Sequence, residues 1–535
     1  MSNEKNFKFC ILAAGRGTRN TVFQGLHKAL FPVANKPVIS IILEKVPKNI
    51  PVVVAIGHLG DQVKSYLENV HNDRVFEFVR VKNYSGPGSG PGLSLLECEK
   101  NIQCPFIFTS ADTIIDEVFE FKTVEKNWIG VSQVSDDDSH EYCLVKTDGQ
   151  KVIDFYYGEN QNSHAFTGIA GVKDYKQFWR GLRQENLIKG EHQVLNGLRS
   201  LGCLETLGMV WLDTGNDKSY SKTKTYYPND LVIEKNNEAI FVDNGKVIKY
   251  FDSSQKSKMR VERSIHLDGC APKVTEINDN MFSYRFHKGK RLSDVYEENT
   301  LTSFLQDYYR KFAVNRSEKT EKFLNDCDKM YRQKTLSRVK SFAGSELDKI
   351  KTINGIKTPP VMSLIKEIDW KKIEETSIPC LFHGDLQPEN ILSLPDKSFL
   401  YIDWRESFGS DVKIGDLYYD LGKLYHALII SNSLVMEGNY EIQIDIENSS
   451  AEIYYAVKSN LIQLNEMLSD FCAEKNLDYT HVKFLGILNY LNIAGLYGNF
   501  QKGSYGKFLF LLGKKMLSQL IQEGKNEFNA SNRHL

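Results

Sequence analysis

Residues 8–19 read KFCILAAGRGTR. The apolar run predicts a buried strand, and it stops at a turn carrying two glycines and two arginines. Such a turn puts backbone freedom and positive charge at the strand's end. Working outward, VPKNIPVVVAIG (46–57) contains a second strand, followed by GDQVKSYLENV as a helix. RVFEFVRV (74–81) and CPFIFTSAD (104–112) read as two more strands. Strands alternating with helices imply an α/β fold with an open, mainly parallel sheet. Sheets of that kind bind ligands beyond the carboxyl ends of their strands. Here the segments after several strands are rich in Gly, Asp, Lys and Arg.

The pattern changes near 216–230. NDKSYSKTKTYYPND lacks an apolar period and reads as a linker. LVIEKNNEAIFVDNGKVIKYF (231–251) then looks like short antiparallel strands, with turns at Asn236-Asn237 and Asn244-Gly245. From about 300 onward TSFLQDYYRKFAVN, EKFLNDCDKMYRQ and LYYDLGKLYHALII carry a 3.6-residue apolar period. The expected organisation is one α/β domain over 1–222, a small β lobe over 223–300 and a helical lobe over 301–535. The polar tail EGKNEFNASNRHL is expected to fray.

Composition bounds the function. A chain of 535 residues predicts two to four domains at roughly 100–200 residues each. Lys plus Arg number 67 and Asp plus Glu 68, so the net charge of −1 argues against a coat for nucleic acid or an anionic membrane. Hydrophobic residues at 41% and charged residues at 25% suit a soluble protein with two sizeable cores. No apolar run approaches the roughly 18 residues of a membrane span, and the N-terminus lacks a signal-peptide layout. Nine scattered cysteines, odd in number and without a CxxC pair, read as reduced thiols in a cytoplasm. The expected partners are small-molecule substrates, with no nucleic acid and no membrane. Composition is silent on oligomeric state.

Two constellations carry chemistry. In the first, Ala14, Gly15, Gly17 and Thr18 form a turn whose N–H groups can cradle phosphates, with Arg19 and Lys28 as cations above them. GPGSGPGLSLL (86–96) adds a second glycine-rich loop containing Ser89 and Gly90, while FIFTSAD ends on Asp112 and WLDTGN contains Asp213. Two carboxylates from distant segments can hold one Mg²⁺, a hard cation that prefers oxygen. LAAGRGTR followed by HKALFPVANKPVI resembles the opening signature of the sugar-phosphate nucleotidylyltransferases, the MobA-like NTP transferase family, with Asn35 where that family usually has Gly. WLDTGN is similar to the family's WxDxGT motif, and FTGIAGV (166–172) to its acceptor strand. The resemblance covers about 215 residues. It implies a Rossmann-like α/β/α domain in which Asp112 and Asp213 hold Mg²⁺, and Arg19 and Lys28 are catalytic. By the same resemblance Ala14, Gly15, Gly17, Thr18, Ser89 and Gly90 bind nucleotide, and Gly168 and Glu191 bind the acceptor. One departure concerns the acceptor: DFYYGENQNSHAF (154–166) lacks the lysine that the family often places before its acceptor strand.

In the second constellation, residues 380–404 read CLFHGDLQPENILSLPDKSFLYIDW. Phosphoryl transfer to a hydroxyl needs a carboxylate at the attacking oxygen and two oxygen ligands for Mg²⁺. HGDLQPEN followed by IDW resembles the aminoglycoside phosphotransferase and choline kinase superfamily, which implies a bilobal, protein-kinase-like α+β domain. The resemblance makes Asp385 the catalytic base and Asn390 and Asp403 the metal ligands. His383 and Asp420 read as structural, and Asp416 has no assigned role. Lys249 in KVIKYF is matched to the lysine that pairs with ATP phosphates, and Glu262 to its helix partner, although no glycine-rich loop precedes Lys249. Arg405, two residues after Asp403, suits a phosphorylated or hydroxyl-rich acceptor better than choline.

Together the two resemblances imply a bifunctional enzyme. Its kinase half would phosphorylate a sugar or sugar-like polyol with ATP. Its transferase half would couple that phosphate to a nucleotide from CTP or UTP and release pyrophosphate. The NDP-sugar product suits surface or capsular polysaccharide synthesis. A second reading is a choline or amino-alcohol kinase joined to a phosphocholine-type cytidylyltransferase. A third makes one half a non-catalytic regulatory module. The related transferases often self-associate, so a homo-oligomer stays open.

Overall fold

The computed structural model describes residues 7–117, 121, 123–158, 164–184, 186–188, 190–227, 237–314, 316–497 and 500–531. Five residues of the segment read above as lacking an acceptor lysine (159–163), the start of the antiparallel strands (228–236) and the last four residues lie outside these. The chain forms two compact units: residues 1–257 with 275–286, and 258–274 with 287–535.

The first unit is built on a nine-stranded sheet. Its strand order is 76–80, 52–56, 8–13, 106–110, 164–172, 128–133, 205–208, 151–156, 144–148. The first four of these strands run parallel, with Ile11 beside Val54 on one side and Thr109 on the other. The strand His164–Val172 runs antiparallel to Phe106–Ser110, so the sheet is mixed. Alternation explains the continuous apolar reading of the first strand. Phe9, Ile11 and Ala13 enter one buried cluster, while Cys10, Leu12 and Ala14 enter another on the opposite face.

The stretch expected to be a linker is in part a helix, Asp217–Tyr226. Asn216 accepts from the Ser219 amide and Ser219 returns the bond, a reciprocal N-terminal cap. The helix buries only Tyr220 and Thr223, one turn apart, which is why no apolar period shows. The Tyr220 hydroxyl donates to the Pro32 carbonyl (2.7 Å).

The first compact unit runs on through Ser257. The sheet of Glu238–Asp243, Lys246–Phe251, Met281–Arg285 and Val274–Asn278 places Phe241, Ile248, Tyr250 and Met281 in one cluster with Ile11 and Val54. A buried polar network ties this hairpin down. The Tyr66 hydroxyl donates to Asp243 Oδ2 (2.8 Å). His71 Nε2 lies 3.0 Å from that oxygen and 2.9 Å from Ser40 Oγ. Burial raises the Asp243 carboxyl, but hydrogen bonds from His71 and Ser40 outweigh it and hold it at about 2. Its folded pKa is therefore depressed. The stabilisation it contributes is complete above the ordinary carboxylate range and is lost as pH falls toward 2. Asp243→Ala should lower the stability of this unit by about 3 kcal/mol at neutral pH by leaving buried groups unpaired, and the loss should shrink below pH 4. Urea unfolding of wild type and variant at pH 7 and pH 3 checks both signs.

The second unit is mainly helical, but three small sheets interrupt it. Thr352–Ile353, Ile356–Lys357, Tyr440–Asp445 and Ser450–Tyr455 form one of them. These strands stand among the helices expected beyond 300. YEIQID and SAEIYY alternate with period two, a signal the helical periods on either side overshadow. The helices Leu417–Ile429 and Tyr479–Ala494 cross closely, since a Cβ on Gly486 would stand 2.9 Å from the Gly422 carbonyl oxygen. Among the described residues no helix is long and apolar enough to cross a membrane.

Candidate functional sites

In the first unit the site lies at the carboxyl ends of the parallel strands. Gly17 has φ +64°, and a Cβ there would stand 3.0 Å from Lys28 Cδ, so the glycine lets the turn close over that lysine. Gly15 and Gly17 are half-buried, Thr18 and Arg19 exposed, and Ala14 buried, with its carbonyl accepting from the His58 amide (3.0 Å). His27 Nε2 lies 3.0 Å from the Ala13 carbonyl oxygen, and burial lowers this imidazole to about 3, so it stays neutral.

Antiparallel pairing of Trp211–Asp213 with Thr113–Ile115 brings Asp213 beside Asp112. The Thr214 amide donates to the Asp112 carbonyl (3.0 Å), and Gly215 N–H to Asp213 Oδ1 (2.9 Å). A Cβ built on Gly215 would meet Asp213 Oδ1 at 3.1 Å and Asp112 Oδ2 at 3.3 Å, so the two carboxylates converge on one point. Burial and the Asp112 charge push the Asp213 carboxyl up. Burial also works against Asp112, but Lys28 Nζ at 2.6 Å from its Oδ2, with Arg19 further off, holds that carboxyl down. Two converging hard oxygen donors of unequal basicity fit a divalent cation such as Mg²⁺.

The glycine-rich loop also meets Glu191. Gly90 has φ +146°, and a Cβ on it would stand 2.6 Å from the His192 carbonyl oxygen and 3.1 Å from Glu191 Cβ. The His192 amide donates to the Ser89 carbonyl (3.0 Å). Gly168, at φ +85°, sits against Thr113, whose hydroxyl donates to the Thr167 carbonyl (2.8 Å). Sequence reasoning missed Tyr142, whose hydroxyl donates to Asp213 Oδ2 (3.2 Å) and whose ring meets Trp211 edge-on at 4.9 Å. It lies outside every recognised motif. Gly90→Ala should destabilise the first unit by about 2 kcal/mol, because the alanine would need both a positive-φ backbone and the space of the His192 carbonyl. Melting curves of the variant read this directly.

In the second unit, His383 and Gly384 follow the strand Pro379–Leu381. Their amides donate to the two carboxylate oxygens of the fully buried Asp420, at 2.5 and 2.6 Å. Burial raises Asp420 to about 6 even against these bonds. His383 Nε2 lies 2.9 Å from the Ile402 carbonyl oxygen. Asp416 caps the helix Leu417–Ile429, accepting from the Tyr418 amide (3.2 Å), and also takes the Tyr331 hydroxyl (2.5 Å). The loop is thereby fixed on both sides, and Asp420→Ala should cost about 3 kcal/mol by orphaning its two amides. Melting curves of the variant provide the check.

Asp385 emerges from this loop. Gln387 Nε2 donates to its Oδ1 (3.0 Å), and Asn390 Nδ2 to its carbonyl (2.9 Å) and its Oδ2 (3.3 Å). Lys423 Nζ stands 3.2 Å from Oδ1. Burial alone would raise this carboxyl, but Lys423, His383 and Gln387 hold it well below the usual range. The Ile402 amide donates to the Asn390 carbonyl (2.9 Å), which brings Asp403 alongside. Asp403 takes φ +62°, a conformation costly for a non-glycine residue. Arg260 Nη1 lies 3.7 Å from Asp403 and its Nη2 3.4 Å from Glu406. Arg405 Nε donates to the Ser407 carbonyl (3.0 Å).

Lys249 is buried on the strand Lys246–Phe251, opposite Phe282. Glu262 is exposed on the helix Ser254–His266, and the two fall in different compact units. On that helix Arg260 reaches Asp403, and the fully buried Arg263 donates to the Val412 (2.5 Å) and Phe382 carbonyls. Neither arginine was singled out from sequence, and nor was Lys423. Its signal was a lone lysine within the apolar helix LYYDLGKLYHALI.

No family model matches the chain. The bifunctional protein GlmU of Methanococcus vannielii is 24% identical over 239 residues, 42% of this chain and 55% of that protein. The same-named protein of Methanococcus maripaludis is 23% identical over 236 residues, 42% and 54% of the two chains. The chain thus spans about half the length of the curated relatives it matches. Among solved structures, the CTP:phosphocholine cytidylyltransferase of Streptococcus pneumoniae covers 42% of this chain and all of its own, at 20% identity and a TM-score of 0.35. The N-terminal part of the chain resembles nucleotidyltransferases.

Proposed function

We propose that the chain is a bifunctional enzyme whose second unit phosphorylates a sugar or sugar-like polyol with ATP. Its first unit then transfers a nucleotidyl group to the resulting phosphate. The observation that carries the transferase reading is the convergence of Asp112 and Asp213 at Gly215, with Lys28 on Asp112. An acceptor phosphate oxygen attacks the α-phosphorus of the nucleoside triphosphate. The α–β phosphoanhydride bond breaks and pyrophosphate leaves. Positioning and charge neutralisation carry such a reaction. Arg19 and Lys28 neutralise the departing pyrophosphate, and the glycine turn binds phosphates through its amides. Mg²⁺, held by Asp112 and Asp213, supplies further charge neutralisation when bound. The nucleotide is CTP or UTP.

In the second unit the acceptor hydroxyl oxygen attacks the γ-phosphorus of ATP, its proton passes to Asp385 and ADP leaves. Asn390 and Asp403 would hold Mg²⁺ there. The doubly anchored loop around Asp385 supports this reading, because it holds a half-buried carboxylate in a preorganised position. The product of one site is the acceptor of the other. An NDP-sugar for surface polysaccharide made in the cytoplasm accounts for joining them.

The test is ³¹P NMR of the full chain with Mg²⁺, ATP, CTP and UTP against pooled sugars and polyols. A new phosphomonoester followed by a nucleotide diphosphodiester and pyrophosphate is the expected result. A phosphomonoester that never becomes a diphosphodiester with either pyrimidine would remove the proposed nucleotides. No phosphomonoester from any pool would remove the proposed kinase substrates.

A further inference from the structure

Three cations gather around Tyr419, and one of them reaches Asp385. Lys423 Nζ is 3.2 Å from its Oδ1. Tyr419 lies one helical turn before Lys423 on the same helix face, and Arg405 Nη1 is 3.4 Å from the Tyr419 hydroxyl. Lys334 Nζ stands 5.8 Å over the Tyr419 ring. The set is held in place: the Arg405 amide donates to the His383 carbonyl (3.0 Å), and Lys334 opens the helix Lys334–Val339.

Counter-charge is short. Asp385 answers Lys423. Glu406 lies 3.9 Å from Arg405 but is shared with Arg260, which also faces Asp403. Lys334 forms no ion pair with a carboxylate among the described residues. Tyr419 feels this field: burial would raise its phenol, yet Arg405, Lys334 and Lys423 bring it to about 8. Lys334 meets the Tyr419 ring rather than a carboxylate, and a surplus of cations over carboxylates suits a place where an anion binds.

Within the set, Lys423 approaches Asp385 at the oxygen that the proposed metal ligand does not use. Asn390, the proposed metal ligand, approaches Oδ2, whereas Lys423 and Gln387 approach Oδ1.

We infer that Lys334, Arg405 and Lys423 form an anion-binding subsite for the acceptor, so that the alcohol phosphorylated by this unit is a hydroxylated acid bearing a carboxylate or phosphate. This rests on the kinase reading above. It narrows the substrate class from neutral sugars and polyols to their acidic counterparts, and it excludes choline.

Two measurements on the full chain test it, with melting curves confirming that each variant folds. In the first, inorganic sulfate is titrated calorimetrically into wild type, Lys334→Met, Arg405→Gln and Lys334→Arg. We expect a sulfate site weakened at least ten-fold by the first two substitutions and kept by Lys334→Arg. Equal binding in wild type and folded Lys334→Met overturns the subsite. In the second, ³¹P NMR compares glycerol with glycerate and glycerol 3-phosphate, and glucitol with gluconate, with choline alongside. We expect acids to be used with at least ten-fold higher kcat/KM, with the preference lost in Lys334→Met mainly through KM. Carboxylate and phosphate acceptors are separated by which acid is used. Preference for a neutral or cationic acceptor overturns the inference while leaving the kinase reading intact. Sulfate binding that depends on Lys334, with ATP consumption unchanged in Asp385→Asn, leaves the anion subsite standing and removes the kinase reading instead.

Discussion

Asp385→Asn should lower ATP-dependent phosphorylation of the alcohol acceptor by about 10³-fold, with pyrophosphate release from a supplied phosphomonoester unchanged. The amide keeps the shape of the carboxylate and cannot take the hydroxyl proton. It also leaves Lys423, buried 3.2 Å away, without its counter-charge. A stability loss of about 3 kcal/mol should therefore accompany the kinetic one. The double variant Asp385→Asn with Lys423→Met separates the two, since it should recover much of the stability and none of the turnover. Full activity in a folded Asp385→Asn protein would exclude Asp385 as the base. Single-turnover assays and melting curves of the four proteins complete the cycle.

Asp112→Ala should reduce pyrophosphate formation by about 10³-fold and leave phosphorylation by the other unit intact. The substitution removes one of two converging carboxylates and the partner of Lys28, 2.6 Å away. It also relieves Asp213, whose carboxyl is pushed up by burial and by the Asp112 charge, so Asp213 should titrate lower in the variant. Raising Mg²⁺ should rescue Asp112→Ala only weakly, because the remaining carboxylate holds the ion alone. Pyrophosphate assays at varied Mg²⁺ test this. Undiminished pyrophosphate release would remove Asp112 from the site.

Much of the first unit was legible. The alternation of KFCILAA with later strands announces an α/β sheet because a strand buried on both faces must be apolar at every position, as the two clusters around Ile11 and Leu12 require. The Asn244-Gly245 turn was legible for a similar local reason, as both residues adopt positive φ between Asp243 and Lys246. The helix Asp217–Tyr226 was not, since two buried side chains leave no period to read. The hairpin of Tyr440–Asp445 and Ser450–Tyr455 was overlooked amid helical periods.

The candidate sites divide in the same way. Local motifs marked Asp112, Asp213, Asp385, Asn390 and Asp403, because glycine turns and strand ends leave compositional traces. No motif could pair Asp112 with Asp213, 101 positions apart, or aim Arg260 at Asp403 and Lys423 at Asp385. By itself the sequence determined which strands are buried on both faces, where the turns fall and which carboxylates follow them, for these depend on neighbours a few residues away. Only the tertiary structure decided that the 238–251 hairpin shares the first unit's core, and that three cations gather around Tyr419. Burial and electrostatic pairing act through space, and side chains far apart in the chain meet only once the whole core has packed.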